Sequence, residues 1–170
     1  MFLFVPQICM GKTLPNYPMS RKLKLLSLNV RGLRNVNKRR AIFSNLKSQK
    51  ATIFCLQETY SSIEDEEVWA TEWGGKIFFS HGSSHSRGVC ILLNPHSTFH
   101  LRRVEADTEG RFLIVKVTID EECFFITNCP DGLPWSGFFH HSFKQTTHFE
   151  YRHLKSCYFW RLEYYSQPNR

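Results

Sequence analysis

Acidic residues are missing from one long stretch of this chain. The sequence has 170 residues, with 22 lysines and arginines against 15 aspartates and glutamates and a formal net charge of +7. Between Arg21 and Gln57 there are ten basic residues and no aspartate or glutamate. A cationic segment of this kind suits a polyanionic partner such as DNA. A solvated helix face with its loop explains the same pattern equally well.

Other absences exclude several classes of protein. The six cysteines form no CxxC pair and no disulfide framework, which predicts a reduced intracellular chain and leaves nucleus and cytoplasm unresolved. No apolar run approaches the roughly 18 residues of a membrane span, so no membrane association is expected. Pro6 and Gln7 interrupt the apolar start, which argues against a secretory signal. Gly11-Lys12-Thr13 lacks the earlier glycine of a P-loop, so that motif is excluded.

Three segments of different character follow one another. Residues 1–21 contain three prolines and no periodicity, which predicts an irregular leader. Residues 22–128 have regular strand and helix patterns and predict one domain with a sizeable core. Residues 129–170 are dense in aromatic residues and histidine. Within this aromatic tail, only His148–Glu163 is a candidate helix.

The domain is predicted to begin with a strand, a helix and a second strand. Leu23–Val30 and Ala51–Leu56 have strand character, and Lys38–Lys47 has apolar residues at helical spacing. Short links between them predict two parallel neighbouring strands joined by a right-handed crossover. Ile63–Trp73 follows as a predicted helix with acidic residues in its first turn, where the helix dipole favours them.

Only strands are predicted after this helix. Turn residues separate five short strand-like runs and predict a mostly antiparallel meander. The predicted strands are Lys76–Ser80, Val89–Leu93, Phe99–Glu105, Arg111–Ile119 and Cys123–Thr127. The sequence therefore predicts an α+β fold, in which a mixed sheet carries helices on one face.

Two polar side chains stand at the ends of the two predicted parallel strands. Asn29 ends the first strand and Glu58 follows the second. Because the two strands are predicted to be parallel neighbours, these side chains are expected to lie close together at the carboxyl edge of the sheet. Open α/β sheets bind their ligands at this edge. A carboxylate beside an amide oxygen suits Mg²⁺ that keeps several waters and a substrate phosphate. Local turn bonds by both residues are the alternative. His81 and His85 are interpreted as ordinary loop residues.

The order of the motifs resembles a known family. LSLNVRGL, NKRRAIFSNLK, IFCLQET, SRGVCILLN, EGRFLIVKV and CFFITN follow one another between Leu23 and Asn128. In order and spacing they resemble the endonuclease/exonuclease/phosphatase superfamily. The closer likeness is to the apurinic-type, reverse-transcriptase-associated endonuclease domain of non-LTR (LINE-like) retrotransposons. The resemblance implies a four-layer αββα sandwich and a Mg²⁺-dependent hydrolase that nicks DNA.

The resemblance also implies roles for individual residues. Glu58 matches the glutamate that binds the catalytic divalent ion, and Asn29 matches the strand-end asparagine that orients the phosphate and the other catalytic groups. Gln57 precedes the glutamate as in the family. Arg31 replaces an aspartate of some relatives; it could contact a phosphate but cannot bind a cation. Nucleic-acid contacts are expected from the basic residues of this region, Arg31, Arg34, Lys38, Arg39 and Arg40.

Several catalytic motifs of the family have no counterpart in this sequence. Asn128 is followed by Cys129, Pro130 and Asp131, whereas the family continues as Asn-Val-Tyr-Ala-Pro with a tyrosine in the active site. No aspartate follows Asp131, so the family's Asp-x-Asn and Ser-Asp-His motifs are absent. We therefore expect a truncated domain, an incomplete αββα sandwich, with little or no nuclease activity. Whether the chain is an enzyme is left open.

Two alternatives to a nicking enzyme follow from these absences. One is a non-catalytic, basic remnant that binds nucleic acid, and the other is a chain with no retained function.

An incomplete sandwich would also leave one sheet face without a cover unless the aromatic tail packs against it. That uncovered face predicts self-association. Its residues would be Val89, Ile91, Leu113 and Val115.

Overall fold

Two five-stranded sheets make up most of the described chain. The computed structural model describes residues 8–9, 23–119, 122–129, 149–154 and 157–162. In chain order the elements are β1 (Ile8–Cys9), β2 (Lys24–Asn29), α1 (Val36–Ser48), β3 (Ile53–Gln57), a 3₁₀ turn (Ile63–Asp65), α2 (Glu66–Trp73), β4 (Ile77–Ser80), β5 (Val89–Leu93), β6 (His100–Ala106), β7 (Leu113–Ile119), β8 (Glu122–Asn128), β9 (Phe149–Leu154) and β10 (Cys157–Leu162). None of the helices among these residues is long and apolar enough to cross a membrane.

The first sheet contains the predicted strand–helix–strand unit. Its strand order is β1-β2-β3-β5-β4, and β2 and β3 are parallel while the other neighbours are antiparallel. α1 provides the crossover between β2 and β3. It begins after Asn35, whose side-chain oxygen accepts the backbone N–H of Lys38 at 3.0 Å. This cap satisfies one of the unpaired donors at the helix start. The parallel pairing and the crossover helix confirm the predicted strand–helix–strand unit.

The second sheet contains the predicted meander and a further hairpin. Its order is β6-β7-β8-β10-β9, with antiparallel pairing throughout. The helix predicted over His148–Glu163 is wrong, because Phe149–Leu154 and Cys157–Leu162 are strands. β10 pairs with the free edge of β8. Aromatic residues favour strands. Where the sequence has no clear period, pairing with the backbone groups at the edge of β8 favours a strand over a helix.

The main core lies between the two sheets. One apolar cluster joins residues of β2, β3 and β5 to residues of β7 and β8. Val89, Ile91, Leu113 and Val115 belong to it and are fully buried, so the expectation that they line an uncovered face is wrong. Each sheet covers the other at these positions.

A second apolar cluster lies between the first sheet and its two helices. Phe43 of α1 contacts the Trp73 ring of α2 edge-on at a centroid distance of 5.5 Å, and Phe54 of β3 does so at 5.3 Å. β3 is buried at all five positions because the helices cover one face and the second sheet covers the other. Among the described residues no helix covers the outer face of the second sheet. The predicted α+β fold, an incomplete αββα sandwich, is confirmed.

Candidate functional site

The carboxyl ends of β2 and β3 lie side by side at one edge of the first sheet. Asn29 stands opposite Gln57 in the parallel ladder. Beyond the strands the two segments stay hydrogen-bonded, since the N–H of Gly32 donates to the carbonyl oxygen of Glu58 at 2.6 Å. The structure therefore brings Asn29 and Glu58 to the same sheet edge, named here the β2–β3 edge. This placement follows from the parallel pairing that the sequence predicted.

Among the residues that the structure describes, the side chains of Asn29 and Glu58 have only local partners. The Asn29 side-chain oxygen accepts the backbone N–H of Arg31 at 3.1 Å, which is the turn bond considered as an alternative role. The Glu58 carboxylate accepts the Tyr60 hydroxyl at 3.4 Å, a long hydrogen bond. Asn29 is exposed and Glu58 is half-buried. The carboxylate is therefore held close to the protein surface without a strong internal bond.

Backbone strain is concentrated at this edge. Arg31, Glu58, Tyr60 and Arg87 have φ values of 47°, 53°, 56° and 63°. The left-handed region costs a residue with a side chain about 1–2 kcal/mol. Surrounding hydrogen bonds hold the strained conformation, and the N–H of Tyr60 donates to the carbonyl of Arg87 at 3.0 Å. Such strain tends to persist at functional sites, where the rest of the fold imposes it.

A buried polar network lies beneath the edge and joins the two sheets. Gln57 Nε2 donates to Asn128 Oδ1 at 2.5 Å and to Ser27 Oγ at 3.1 Å. Asn128 Nδ2 donates to the carbonyl oxygens of Leu56 at 2.9 Å and Cys90 at 2.8 Å. Asn128 ends β8, so its side chain fixes the second sheet against β3 and β5. The sequence interpretation missed this role, although an asparagine that ends an apolar strand was a visible signal.

A second polar row lies behind the segment that carries Glu58. Ser61 Oγ is 3.1 Å from His81 Nδ1, and His81 Nε2 is 2.8 Å from a Glu66 carboxylate oxygen. Thr59 Oγ1 is 3.1 Å from Ser61 Oγ. The His81 ring also stacks on Phe79 at a centroid distance of 5.3 Å. His81 is therefore more than an ordinary loop residue, because three elements meet on its side chain.

Arg39 is not available to a nucleic acid. Its side chain is only 4% exposed, and its Nε lies 2.6 Å from the Glu72 carboxylate. Its guanidinium also lies over the Trp69 ring at 5.4 Å. Arg39 was predicted to contact nucleic acid, and this is wrong because its side chain is buried against α2. The helical spacing to the buried Phe43 and Leu46 was the signal that identifies this orientation.

Four other predicted basic residues are exposed. Lys38 Nζ donates to the carbonyl oxygen of Arg31 at 2.8 Å, and Arg34 lies 3.7 Å from Asp65. Arg40, with a 69% exposed side chain, pairs with Glu72 on the outside of the helices. Arg31, Arg34 and Lys38 therefore form a cationic rim beside Asn29, and Arg40 lies apart from it.

Several carboxylates have charged partners that change their pKa. The bond from Arg39, and then that from Arg40, hold the pKa of Glu72 below its ordinary value against the opposing effect of burial. The bond from Arg111 lowers the pKa of Asp107 in the same way. Burial raises the pKa of the Cys90 thiol far above its usual range, so this cysteine is not a nucleophile.

The donor set at the β2–β3 edge fits part of a Mg²⁺ site. Glu58 offers a carboxylate and Asn29 offers an amide oxygen, which are hard oxygen ligands. Mg²⁺ commonly takes one or two carboxylates and completes its shell with waters and substrate phosphate. Within the described ranges, no group of three histidine, cysteine, aspartate or glutamate residues could hold a metal ion. One carboxylate and one amide oxygen suit a cation that keeps several waters.

Comparison with known proteins agrees with the motifs. The chain matches the Endonuclease/Exonuclease/phosphatase family over residues 26–165, a range that continues past Asn128 and through β9 and β10. It is also similar to the transposon TX1 uncharacterized 149 kDa protein of Xenopus laevis, with 30% identity over 95 residues. That alignment covers 56% of this chain and spans 7% of the Xenopus protein. The match and this transposon relative confirm the resemblance inferred from the motifs. The chain belongs to the endonuclease/exonuclease/phosphatase family.

Proposed function

We propose that this chain is a truncated endonuclease/exonuclease/phosphatase domain of retrotransposon origin that has lost most of its catalytic power. The ancestral activity is Mg²⁺-dependent nicking of DNA, with Glu58 as the metal ligand and Asn29 orienting the phosphate. The observation that carries this proposal is the β2–β3 edge, where Glu58 stands in a strained backbone beside Asn29. By itself, the chain hydrolyses phosphodiesters slowly or not at all.

Binding and hydrolysis make different demands on the protein. A half-buried carboxylate and a rim of exposed cations are sufficient to hold a divalent ion and a phosphodiester. Hydrolysis further needs an activated water in line with the leaving oxygen and positive charge that stabilises the transition state. No aspartate follows Asp131 in this sequence, so the family's Asp-x-Asn and Ser-Asp-His motifs cannot supply these groups. General acid–base catalysis alone contributes about 10²–10⁴-fold to such rates.

Nicking of supercoiled plasmid in the presence of Mg²⁺ tests the proposed loss of activity. Glu58→Gln is the matched variant, because it keeps the size of the side chain and removes the charge that binds a cation. We expect the full chain and the variant to nick the plasmid at the same background rate. Robust nicking by the chain that disappears in Glu58→Gln would show that the remaining groups suffice for catalysis.

The alternative function is a non-catalytic module that binds nucleic acid. The exposed cationic rim of Arg31, Arg34 and Lys38 favours it. Each phosphate contact contributes roughly 0.9 to the slope of log affinity against log salt. We therefore expect the double variant Arg31→Glu/Lys38→Glu to weaken binding to a DNA duplex at least about tenfold and to reduce this slope by about 2.

The control reverses the charge of an exposed arginine on the other sheet. Arg102 lies on the edge strand β6, outside the β2–β3 edge. Arg102→Glu changes net charge in the same direction and should leave the affinity within about threefold. The single variant Arg31→Glu carries the same change of charge as Arg102→Glu, so equal losses in these two variants would indicate a non-specific charge effect. No salt-dependent binding by the unaltered chain would favour a protein without a retained nucleic-acid function.

A further inference from the structure

The segment from Glu58 to Ser61 has two different faces. Thr59 and Ser61 are fully buried, whereas Glu58 and Tyr60 are half-buried. Glu58 and Tyr60 also have positive φ, while neither Thr59 nor Ser61 does. The two buried hydroxyls therefore anchor the segment from within, and the strained residues that alternate with them keep their side chains partly exposed.

The chemistry of Glu66 decides the direction of the hydrogen bonds on the buried face. An ionised carboxylate only accepts hydrogen bonds, so His81 Nε2, at 2.8 Å from Glu66, carries a hydrogen. In the neutral ring Nδ1 is then an acceptor, and the Ser61 hydroxyl at 3.1 Å donates to it. Because the Ser61 hydrogen points to His81, the Thr59 hydroxyl at 3.1 Å donates to Ser61. One row of hydrogen bonds thus runs from Thr59 to α2.

The opposite side of the segment is fixed by the residues just before β5. The N–H of Thr59 donates to the carbonyl of Gly88 at 2.9 Å. Gly88 has a φ of +82°, and a Cβ at this position would come within 2.6 Å of Thr59 Oγ1. A side chain there would displace the hydroxyl, so the glycine allows the two segments to approach each other. Thr59, the residue next to Glu58, is therefore held by its backbone on one side and by Ser61 on the other.

We propose that Ser61 and His81 are positioning residues that hold the Glu58 carboxylate at the β2–β3 edge through Thr59. This inference rests on the proposed function, in which Glu58 binds the divalent ion. The row has the order serine, histidine, carboxylate, but it is not a nucleophilic triad, because Ser61 is fully buried and no substrate reaches its hydroxyl. Its role is to keep the strained segment in the geometry that the metal ligand needs.

Two substitutions of His81 separate its two hydrogen bonds. The amide of asparagine lies near the position of Nδ1, so His81→Asn keeps an acceptor for Ser61 and loses the bond to Glu66. The amide of glutamine lies near Nε2, so His81→Gln keeps the bond to Glu66 and loses the one to Ser61. Ser61→Ala removes the same link from the other side. A role limited to anchoring α2 would make His81→Asn the more damaging variant.

Mn²⁺ binding to the full chain, measured by electron paramagnetic resonance, reports on the site. Glu58→Gln in the otherwise unaltered chain first shows which part of the binding depends on this carboxylate. We expect Ser61→Ala and His81→Gln to weaken that part about tenfold, the lower end of the effect for groups bonded directly to a metal ligand, and His81→Asn to leave it within about threefold. Glu58-dependent binding that none of the three variants weakens would overturn the inference.

A second measurement does not depend on the metal. Hydrogen exchange of the Thr59 and Tyr60 amides, which donate to the carbonyls of Gly88 and Arg87, reports whether the segment is held. We expect faster exchange in Ser61→Ala and His81→Gln and unchanged exchange in His81→Asn. If the unaltered chain binds no Mn²⁺ through Glu58, the metal role is refuted. The exchange result then decides the positioning role alone, and unchanged exchange in all variants refutes it.

Discussion

The bond network around Asn128 makes a quantitative prediction about stability. Asn128 ends β8 and forms three hydrogen bonds to the first sheet, two as donor to the carbonyls of Leu56 and Cys90 and one as acceptor from Gln57. The side chain is fully buried between the sheets. Asn128→Ala removes all three bonds and leaves a small cavity, so it tests how much this network stabilises the packing of one sheet on the other.

The magnitude follows from what each partner keeps. Gln57 Nε2 retains Ser27 Oγ at 3.1 Å and the Cys55 carbonyl at 3.3 Å, so it is not left without an acceptor. We therefore take the usual net value of about 1 kcal/mol for each lost bond. We expect Asn128→Ala to lower the free energy of unfolding by about 3 kcal/mol. Typical domains are stable by about 5–15 kcal/mol, so the loss is easily measured.

Urea unfolding followed by tryptophan fluorescence provides the measurement. Trp69 and Trp73 are fully buried beside the first sheet and report its unfolding. The control is Asn45→Ala, an exposed position on α1, which should change stability by less than about 0.5 kcal/mol. Asn128→Asp replaces the donor with an oxygen that faces two carbonyl oxygens and should destabilise at least as much as alanine. A loss below about 0.5 kcal/mol for Asn128→Ala, or wild-type stability for Asn128→Asp, would refute the reasoning.

Two further predictions concern the helices and the strained edge. Glu72→Gln leaves the buried Arg39 guanidinium without its counter-charge and should cost about 2–4 kcal/mol at pH 7. The pKa of Glu72 is lowered in the folded chain. The difference in free energy of unfolding between the unaltered chain and Glu72→Gln should therefore persist down to about pH 4.3 and shrink as the pH falls further. Unfolding curves from pH 7 to 3 would show this. Gly32→Ala places a Cβ at 2.8 Å from the Tyr60 ring at a φ of +84°. It should cost about 1 kcal/mol more than Gly74→Ala, where φ is similar and the space is open, by the same urea assay.

A control variant and two possible results test these expectations. Glu67 is exposed on the same helix as Glu72, so Glu67→Gln should leave stability nearly unchanged at every pH. A difference between Glu72→Gln and the unaltered chain that grows on acidification would have the wrong sign for a carboxyl with a lowered pKa. Equal costs for Gly32→Ala and Gly74→Ala would mean that the Tyr60 ring moves away without cost.

Much of the fold was predictable because its signals are local. The period of apolar residues and the turn residues identified β2, α1, β3 and the strands of the meander to within about two residues at their ends. The strands β9 and β10 were not predictable in this way. Their segment has no sustained period. β10 forms by pairing with β8, a partner more than twenty residues away along the chain, and β9 then pairs with β10. Pairing with a distant edge leaves no local trace in the sequence.

The candidate site divides along the same line. Asn29 and Glu58 were placed at one edge because parallel pairing follows from a strand–helix–strand pattern. Arg39 was misjudged because a charged residue was counted by its charge and not by its position on the helix. Asn128 and His81 were missed because their partners come from other strands and helices, at separations that no motif spans.

The sequence by itself determined the family, the two parallel strands and the single carboxylate at their end. These follow from residue order and from periods of two and 3.6 residues, which act over a few neighbours. Only the tertiary structure decided that the two sheets cover each other, that Arg39 is buried on Glu72, and that Ser61 and His81 lie behind Glu58. The physical reason is that burial and hydrogen-bond partners depend on contacts between distant segments, which form only when the chain has folded.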